Sequence, residues 1–288
     1  MSQVIQQSSR FAAITGAGSG LGRDIALGLA AKGYRVFGTA ITPEEITELQ
    51  QASGGAVTLT SCDITDEPAV KRWAHAMSAQ TDGSLNLLIS NAGILTPGPI
   101  ETLPLDSIRR EFEVNVFGAL SVVNAFLPAL RKARGRIVQV STWTAHLPLP
   151  FNGPSGASKA AMEVFATVYR EELKRFGIDV VVAVAGNMKT GGPAKTAAAL
   201  ARTAEKMTSE EHALYGQAFN AFAARLNGMQ SSGLASIDAA KRVIELAEQN
   251  PPQRSASVGE DAEEILRAVR KRSDDEQDAL RLQIIGLE

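Results

Sequence analysis

A single α/β domain built on a doubly wound parallel sheet is the fold this sequence predicts. Three observations predict it. Short apolar and β-branched runs alternate with helical patterns along most of the chain, a glycine-rich turn follows the first of these runs, and the composition is that of an ordinary soluble globule. Hydrophobic residues make up 44% and charged residues 21% of the 288, and 29 Lys plus Arg against 31 Asp plus Glu leave a formal charge of -2. That balance, with no basic cluster beyond Arg131, Lys132, Arg134 and Arg136, argues against a nucleic-acid partner. Open α/β sheets of this length commonly form one domain, so one unit over 1–288 is expected.

The strand runs fall at 11–15, 35–40, 56–61, 85–90, 136–141 and 178–185, with a short last strand at 255–258. Runs of four to eight residues without polar alternation suit parallel strands buried on both faces. Helical patterns lie between them at 21–32, 44–51, 67–79, 106–132 and 154–176. Thr42-Pro43-Glu44-Glu45 and Asp66-Glu67-Pro68 are helix entries, a cap residue followed by proline in the first turn. After Ala185 the pattern changes. Residues 186–193 read as a loop, 194–227 as an Ala-rich helical stretch and 228–236 as loose chain, together a helical lid over about 187–236. A helix at 238–249 and charged helices over 261–282 close the chain.

The one cysteine, Cys62, has no disulfide partner and reads as a small buried hydrophobe, which fits a reducing compartment. Residues 1–10 lack the basic-then-apolar pattern of a leader, and no apolar run approaches the ~18 residues of a membrane span, so a cytoplasmic protein without membrane contact is expected. No cluster has metal-ligand spacing.

Directly after the first strand stands Thr15-Gly16-Ala17-Gly18-Ser19-Gly20-Leu21-Gly22, opening a helix. Glycines there let the backbone turn tightly and approach a pyrophosphate, which the amides and dipole of the helix N-terminus hold. Further on come Asp63, Asn91-Ala92-Gly93, Asn115 and Ser155-Gly156-Ala157-Ser158-Lys159. In order and separation these motifs resemble the short-chain dehydrogenase/reductase family over 11–259, with a Rossmann-like fold. Gly38-Thr39-Ala40, Asn187-Met188-Lys189-Thr190 and Val258-Gly259-Glu260-Asp261 are most similar to its steroid and retinol dehydrogenase branch.

The resemblance implies a set of site residues. Gly16, Ser19, Gly20, Leu21 and Gly22 would hold the cofactor phosphates, Asp63 and the Ile64 amide the adenine, and Asn91, Ala92 and Gly93 the ribose. Gly186, Met188 and Thr190 are further cofactor positions, and Lys159 would bind the nicotinamide ribose. Asn115, on the stripe Ile108, Phe112, Asn115, Ala119, Val122, Phe126, would hold a water linked to Lys159. Thr142 falls where the family has its carbonyl-polarising serine. Ser155 falls where the family has its catalytic tyrosine, one helical turn before Lys159.

The loss of the tyrosine matters, because an alkyl hydroxyl is a far poorer proton donor than a phenol with pKa ~10 near an ammonium. Tyr34 and Tyr169 lie too far along the chain to replace it, and Tyr215 would approach only if the lid folds over. His146, four residues after Thr142, is a second candidate donor. Strand two ends in Thr39-Ala40-Ile41-Thr42, with no acidic residue to accept a ribose 2'-hydroxyl. Hydroxyls there could donate to a 2'-phosphate, which favours NADP over NAD. Trp143, Leu147, Leu149, Phe151, Met207, Phe219 and Phe222 suit either an apolar pocket or plain core.

The expected function is therefore an NAD(P)-dependent oxidoreductase for a small apolar alcohol or carbonyl, with an atypical proton donor. The alternative is a nicotinamide-cofactor-binding protein without turnover. A homodimer or homotetramer is implied by the resemblance, through Val116, Ala119 and Val123 with Ala161, Phe165 and Val168.

Overall fold

The computed structural model describes residues 10–189 and 192–287, the side chains of 192–194 aside. Seven parallel strands form one sheet in the order β3-β2-β1-β4-β5-β6-β9. They are β1 (Arg10–Ile14), β2 (Tyr34–Ala40), β3 (Val57–Ser61), β4 (Leu87–Ser90), β5 (Arg136–Thr142), β6 (Asp179–Ala185) and β9 (Ser255–Val258). The order reverses between β1 and β4, and a crevice opens there at the carboxyl ends of the strands.

Helices cover both faces, as the apolar strands require. On one face α1 (Gly20–Ala31), α2 (Pro43–Ala52) and the helix Ser236–Glu248 bury Ile25, Leu29, Leu49 and Ile244. On the other, α3 (Glu67–Gln80), the long helix Leu105–Ala133 and the helix Gly153–Leu173 bury Trp73, Phe126 and Leu173. Each such side chain contributes roughly 1.5 to 3 kcal/mol on burial. The entry signals act as read. Thr42 caps α2 by accepting from the Glu45 amide at 3.3 Å, and Asp66 caps α3 by accepting from the Ala69 amide at 3.1 Å.

Three expectations need correction. The lid is not one helix with a loose end. It is Gly192–Lys206 and Gln217–Ser232, separated by a stretch containing a π turn at His212–Gly216, and the second helix runs through 228–232. Gly233 and the two-residue strands β7 (Met188–Lys189) and β8 (Leu234–Ala235) then pin the lid to the sheet end. The long helix Leu105–Ala133 is long and apolar enough to cross a bilayer, contrary to the reading that no run approaches that length. More than half of its apolar stretch is buried inside the fold, which accounts for its composition. The proposed bundle face differs in its first half: Val116, Ala119 and Val123 are buried within the chain, the first two against Met162, where the helix widens into a π turn at Glu113–Gly118. Phe165 and Val168 of the expected face are exposed, together with Phe117 and Val164.

Candidate active site

At the switch point the loops after β1 and β4 are tied together. The Thr15 hydroxyl accepts from the Asn91 and Ala92 amides at 2.9 and 3.0 Å, and Asn91 Nδ2 donates to the Thr15 carbonyl at 3.1 Å. Gly16 and Gly20 have φ of 65° and 55°, the left-handed region that side chains resist. A Cβ on Gly22 would stand 2.2 Å from the Gly16 carbonyl oxygen and 2.6 Å from Asn91 Nδ2, so only glycine permits this approach. Ser19 occupies the cap position of α1, yet its side chain makes no capping bond and the first turn holds no acidic residue. The first amides of α1 therefore keep their donors for an anion, and the turn fits a dinucleotide pyrophosphate.

The adenosine end differs from the sequence reading. Thr39 is buried, with its hydroxyl accepting from the Gly16 amide at 3.1 Å, and Thr42 is engaged as the α2 cap. Glu45, one turn into α2, brings a carboxylate to the place the sequence left without one. Its Oε2 accepts from the Ile41 amide at 3.4 Å and would lie 2.6 Å from a Cβ on Gly18. Asp63 spends one oxygen on the Thr65 amide and hydroxyl, at 2.9 and 2.8 Å, and the other on Arg110 at 2.9 Å. Burial pushes its carboxyl up, but these hydrogen bonds and the Arg110 charge outweigh it and hold the group below the usual carboxylate range. Ile64 is buried and packs over Gly118.

A cleft of about 520 Å³ opens beside the turn, lined by Leu21, Asn91, Gly93, Gly186 and Met188 among the expected cofactor positions. Thr142, Ser155 and Lys159 face it together. Thr142 ends β5, while Ser155, Lys159 and Glu163 follow one another at four-residue steps along a single face of the helix Gly153–Leu173. Lys159 Nζ donates to the Val140 carbonyl at 3.2 Å. Burial lowers its pKa, and the negative charges of Glu111 and Glu163 pull it back toward the protonated form.

Asn115 sits inside the π turn and is 1% exposed. Its Oδ1 accepts from the Ile94 amide at 2.8 Å, and its Nδ2 donates to the Ile94 carbonyl and Ser158 Oγ, both at 2.9 Å. Ser158 in turn donates to the Ser155 carbonyl at 3.1 Å. Asn115 thus locks the loop after β4 against the turn of helix carrying Ser155 and Lys159.

Three carboxylates to which the sequence assigned no role stand in or beside the site. Glu111 is fully buried, with Oε1 3.3 Å from Asn115 Nδ2 and Oε2 without a hydrogen-bond partner among the described residues. Burial pushes its carboxyl up to about 7, against the opposing pull of Thr96 and the Lys159 charge. Glu163 accepts from the Ser141 hydroxyl and lies 3.0 Å from His146 Nε2. Asp261 accepts from the Asn187 amide at 2.7 Å and its Nδ2 at 2.9 Å, fixing the loop that carries Gly186 and Met188. Thr190, the remaining expected cofactor position, lies outside the described residues.

Neither candidate replacement for tyrosine, Tyr215 or His146, lines the cleft, and Tyr34 and Tyr169 lie away from it as expected. Tyr34 bonds Glu248, Tyr169 donates to Asn124 Oδ1 at 2.7 Å, and Tyr215 is held by Glu101 on the surface of the lid. His146 turns toward Glu163, away from the cleft lining. Of the apolar candidates, Trp143 and Leu149 line the cleft with Leu226, whereas Phe151, Phe219 and Phe222 pack ring against ring, with centroids 5.6 to 6.2 Å apart. Leu147 is core.

The family model described as short chain dehydrogenase matches residues 10–201. An NADPH-dependent 1-acyldihydroxyacetone phosphate reductase of Schizosaccharomyces pombe is 33% identical over 185 residues, 64% of this chain and 62% of that protein, less than two thirds of its length. Retinol dehydrogenase 5 of Homo sapiens is 31% identical over 223 residues, 75% of this chain and 69% of that protein. The crystal structure of a short chain dehydrogenase from Burkholderia cenocepacia in complex with NADP superposes with a TM-score of 0.72 at 25% identity, covering 96% of this chain and 99% of that one.

Proposed function

This chain belongs to the short-chain dehydrogenase family, and on that premise we propose that it is an NAD(P)-dependent oxidoreductase interconverting an apolar alcohol and the corresponding carbonyl compound. The observation that carries this reading is the convergence of Thr142, Ser155 and Lys159 on one cleft that also touches the glycine turn through Leu21. A bound nicotinamide supplies or accepts the hydride, and the protein supplies binding, orientation and the proton. Gly16, Ser19, Gly20, Leu21 and Gly22 take the pyrophosphate, Asp63 and Ile64 border the adenine, and Asn91, Ala92 and Gly93 line the ribose. Gly186 and Met188 complete the enclosure, and Thr190 is a further proposed cofactor position.

With no phenol in the cleft, the proton is the task of the Lys159 ammonium, which burial makes a stronger acid than an ordinary lysine. The Ser155 and Thr142 hydroxyls hold the substrate oxygen by hydrogen bonds. Asn115 is a positioning residue acting through Ser158. NADP is the proposed cofactor, supported by the NADPH-dependent relative and the NADP-bound structure. The Glu45 carboxylate at Gly18 favours NAD, and comparing NADPH with NADH affinity decides between them. A cytoplasmic homodimer or homotetramer completes the proposal, supported by the single buried cysteine and by the exposed Phe117, Val164, Phe165 and Val168.

The test is Ser155→Tyr, assayed beside the unchanged protein on a panel of apolar ketones and alcohols. Restoring a positioned phenol should raise turnover by roughly 10² to 10⁴. One observation favours a second reading, cofactor binding without turnover: all three tyrosines are engaged away from the cleft. Background activity in both proteins with intact NADPH binding would select it. Fast turnover by the unchanged protein, slowed by the tyrosine, would make the Lys159 proton route sufficient by itself.

A further inference from the structure

The cleft does not end at Ile94. A second chamber of about 540 Å³ adjoins it, and Ile94, Leu95, Ala199 and Arg202 line both. Its walls are apolar over much of their extent, through Pro97, Leu103, Pro104 and Met207. One wall is the lid helix Gly192–Lys206, whose Lys195, Ala199, Arg202 and Lys206 follow at steps of four, three and four residues and so share one face. Lys195 faces the inner cleft and reaches Ser19 Oγ at 3.4 Å, on the pyrophosphate turn. At 1.5 Å per residue Arg202 lies about 10 Å and Lys206 about 16 Å farther along the helix, beyond the cofactor end.

The charge in the outer chamber is unbalanced. Its Arg110 is paired with Asp63 and its Asp106 with Arg109, while Glu211, held by the neutral Thr208 amide, leaves one negative charge against two positive ones. Arg202 and Lys206 take part in no ion pair among the described residues. Two exposed cations on the rim of an apolar chamber continuous with the reaction cleft suit a ligand that is part hydrocarbon and part oxyanion.

We propose that the substrate is an amphiphilic carbonyl compound or alcohol bearing an anionic oxygen headgroup, its reacting carbon in the inner cleft and its headgroup against Arg202 and Lys206. The inference rests on the reading of the inner cleft as the oxidoreductase site. Guanidinium at the junction gives directional hydrogen bonds to the oxyanion, and the ammonium at the outer rim adds a point charge.

The test uses the NADPH-loaded protein with decyl phosphate and decanol as probes, titrated by calorimetry. Decyl phosphate should bind about tenfold more tightly than decanol at low salt, and the advantage should shrink at high salt. The double variant Arg202→Gln/Lys206→Gln should lose that advantage, while NADPH affinity, read from nicotinamide fluorescence, is kept. Equal affinity for the two probes, or a preference that survives the double variant, would overturn the proposal. Displacement of NADPH by decyl phosphate would also overturn it, because the anion would then sit at Ser19 and Lys195. NADPH that fails to bind at all marks the separate failure of the cofactor reading, and this proposal falls with it.

Discussion

Replacing Glu111 by Gln should make the protein more stable, and only above about pH 5. The carboxyl is fully buried, faces Thr96, Asn115 and Lys159, and is raised from 4.5 to about 7. A folded-state pKa above the unfolded one means the native protein holds the proton more tightly. The stability that proton confers is complete below about pH 4.5 and lost as pH rises through 7. The difference of about 2.5 units corresponds to roughly 3 kcal/mol, of which roughly 2.5 kcal/mol falls between pH 5 and pH 8. Glutamine keeps the shape and an oxygen for Asn115 Nδ2 but cannot ionise. Urea unfolding at pH 5 and pH 8 measures the effect: the variant should gain little at pH 5 and about 2 kcal/mol or more at pH 8. The same stability difference at both values would refute the argument, since it would mean that Glu111 titrates in the folded protein as it does in the unfolded chain. The reason to retain such a carboxyl is then chemical. Once ionised, it joins Glu163 in raising the Lys159 pKa against the burial that lowers it.

Other perturbations follow from the same geometry. Gly22→Ala places a methyl 2.2 Å from the Gly16 carbonyl oxygen, so nicotinamide binding followed by fluorescence should vanish, with a stability loss of about 1 to 3 kcal/mol in urea. Glu45→Gln removes the carboxylate beside Gly18 and should tighten NADPH relative to NADH by severalfold; an unchanged ratio would show that Glu45 does not face the ribose. Asp261→Ala leaves the half-buried Asn187 turn without its acceptor. It should cost about 1 to 3 kcal/mol and weaken cofactor binding, both readable from thermal melts with and without NADPH.

What the sequence revealed and what it hid divide along a physical line. Signals that act over a few residues were legible: the left-handed glycines before α1, the Thr42 and Asp66 caps, and the apolar runs that had to be buried on both sides. The placement of Thr142, Ser155 and Lys159 around one cleft was legible too, because strand ends and a four-residue helical step carry them there. The long helix was harder. A 3.6-residue period applied through Asn115 assigns one inner stripe, but the π turn buries Val114, Asn115 and Val116 in succession and turns Phe117 outward, which displaces the exposed face from the one expected. Glu111 is the deepest case. Among Arg109, Arg110 and Glu113 it reads as one more solvated charge, and nothing within four residues, the Asn115 step aside, marks it as different. Its burial is made by the loop at Thr96 and by Lys159, 48 positions onward, so it exists only once the fold has closed. Asp261 and Asn187 meet across 74 positions for the same reason. Local chemistry therefore fixes where this site must be and sets Glu163 one turn from Lys159, while the burial that lowers the Lys159 pKa and the Glu111 charge that opposes it come from chain segments that only the finished sheet brings together.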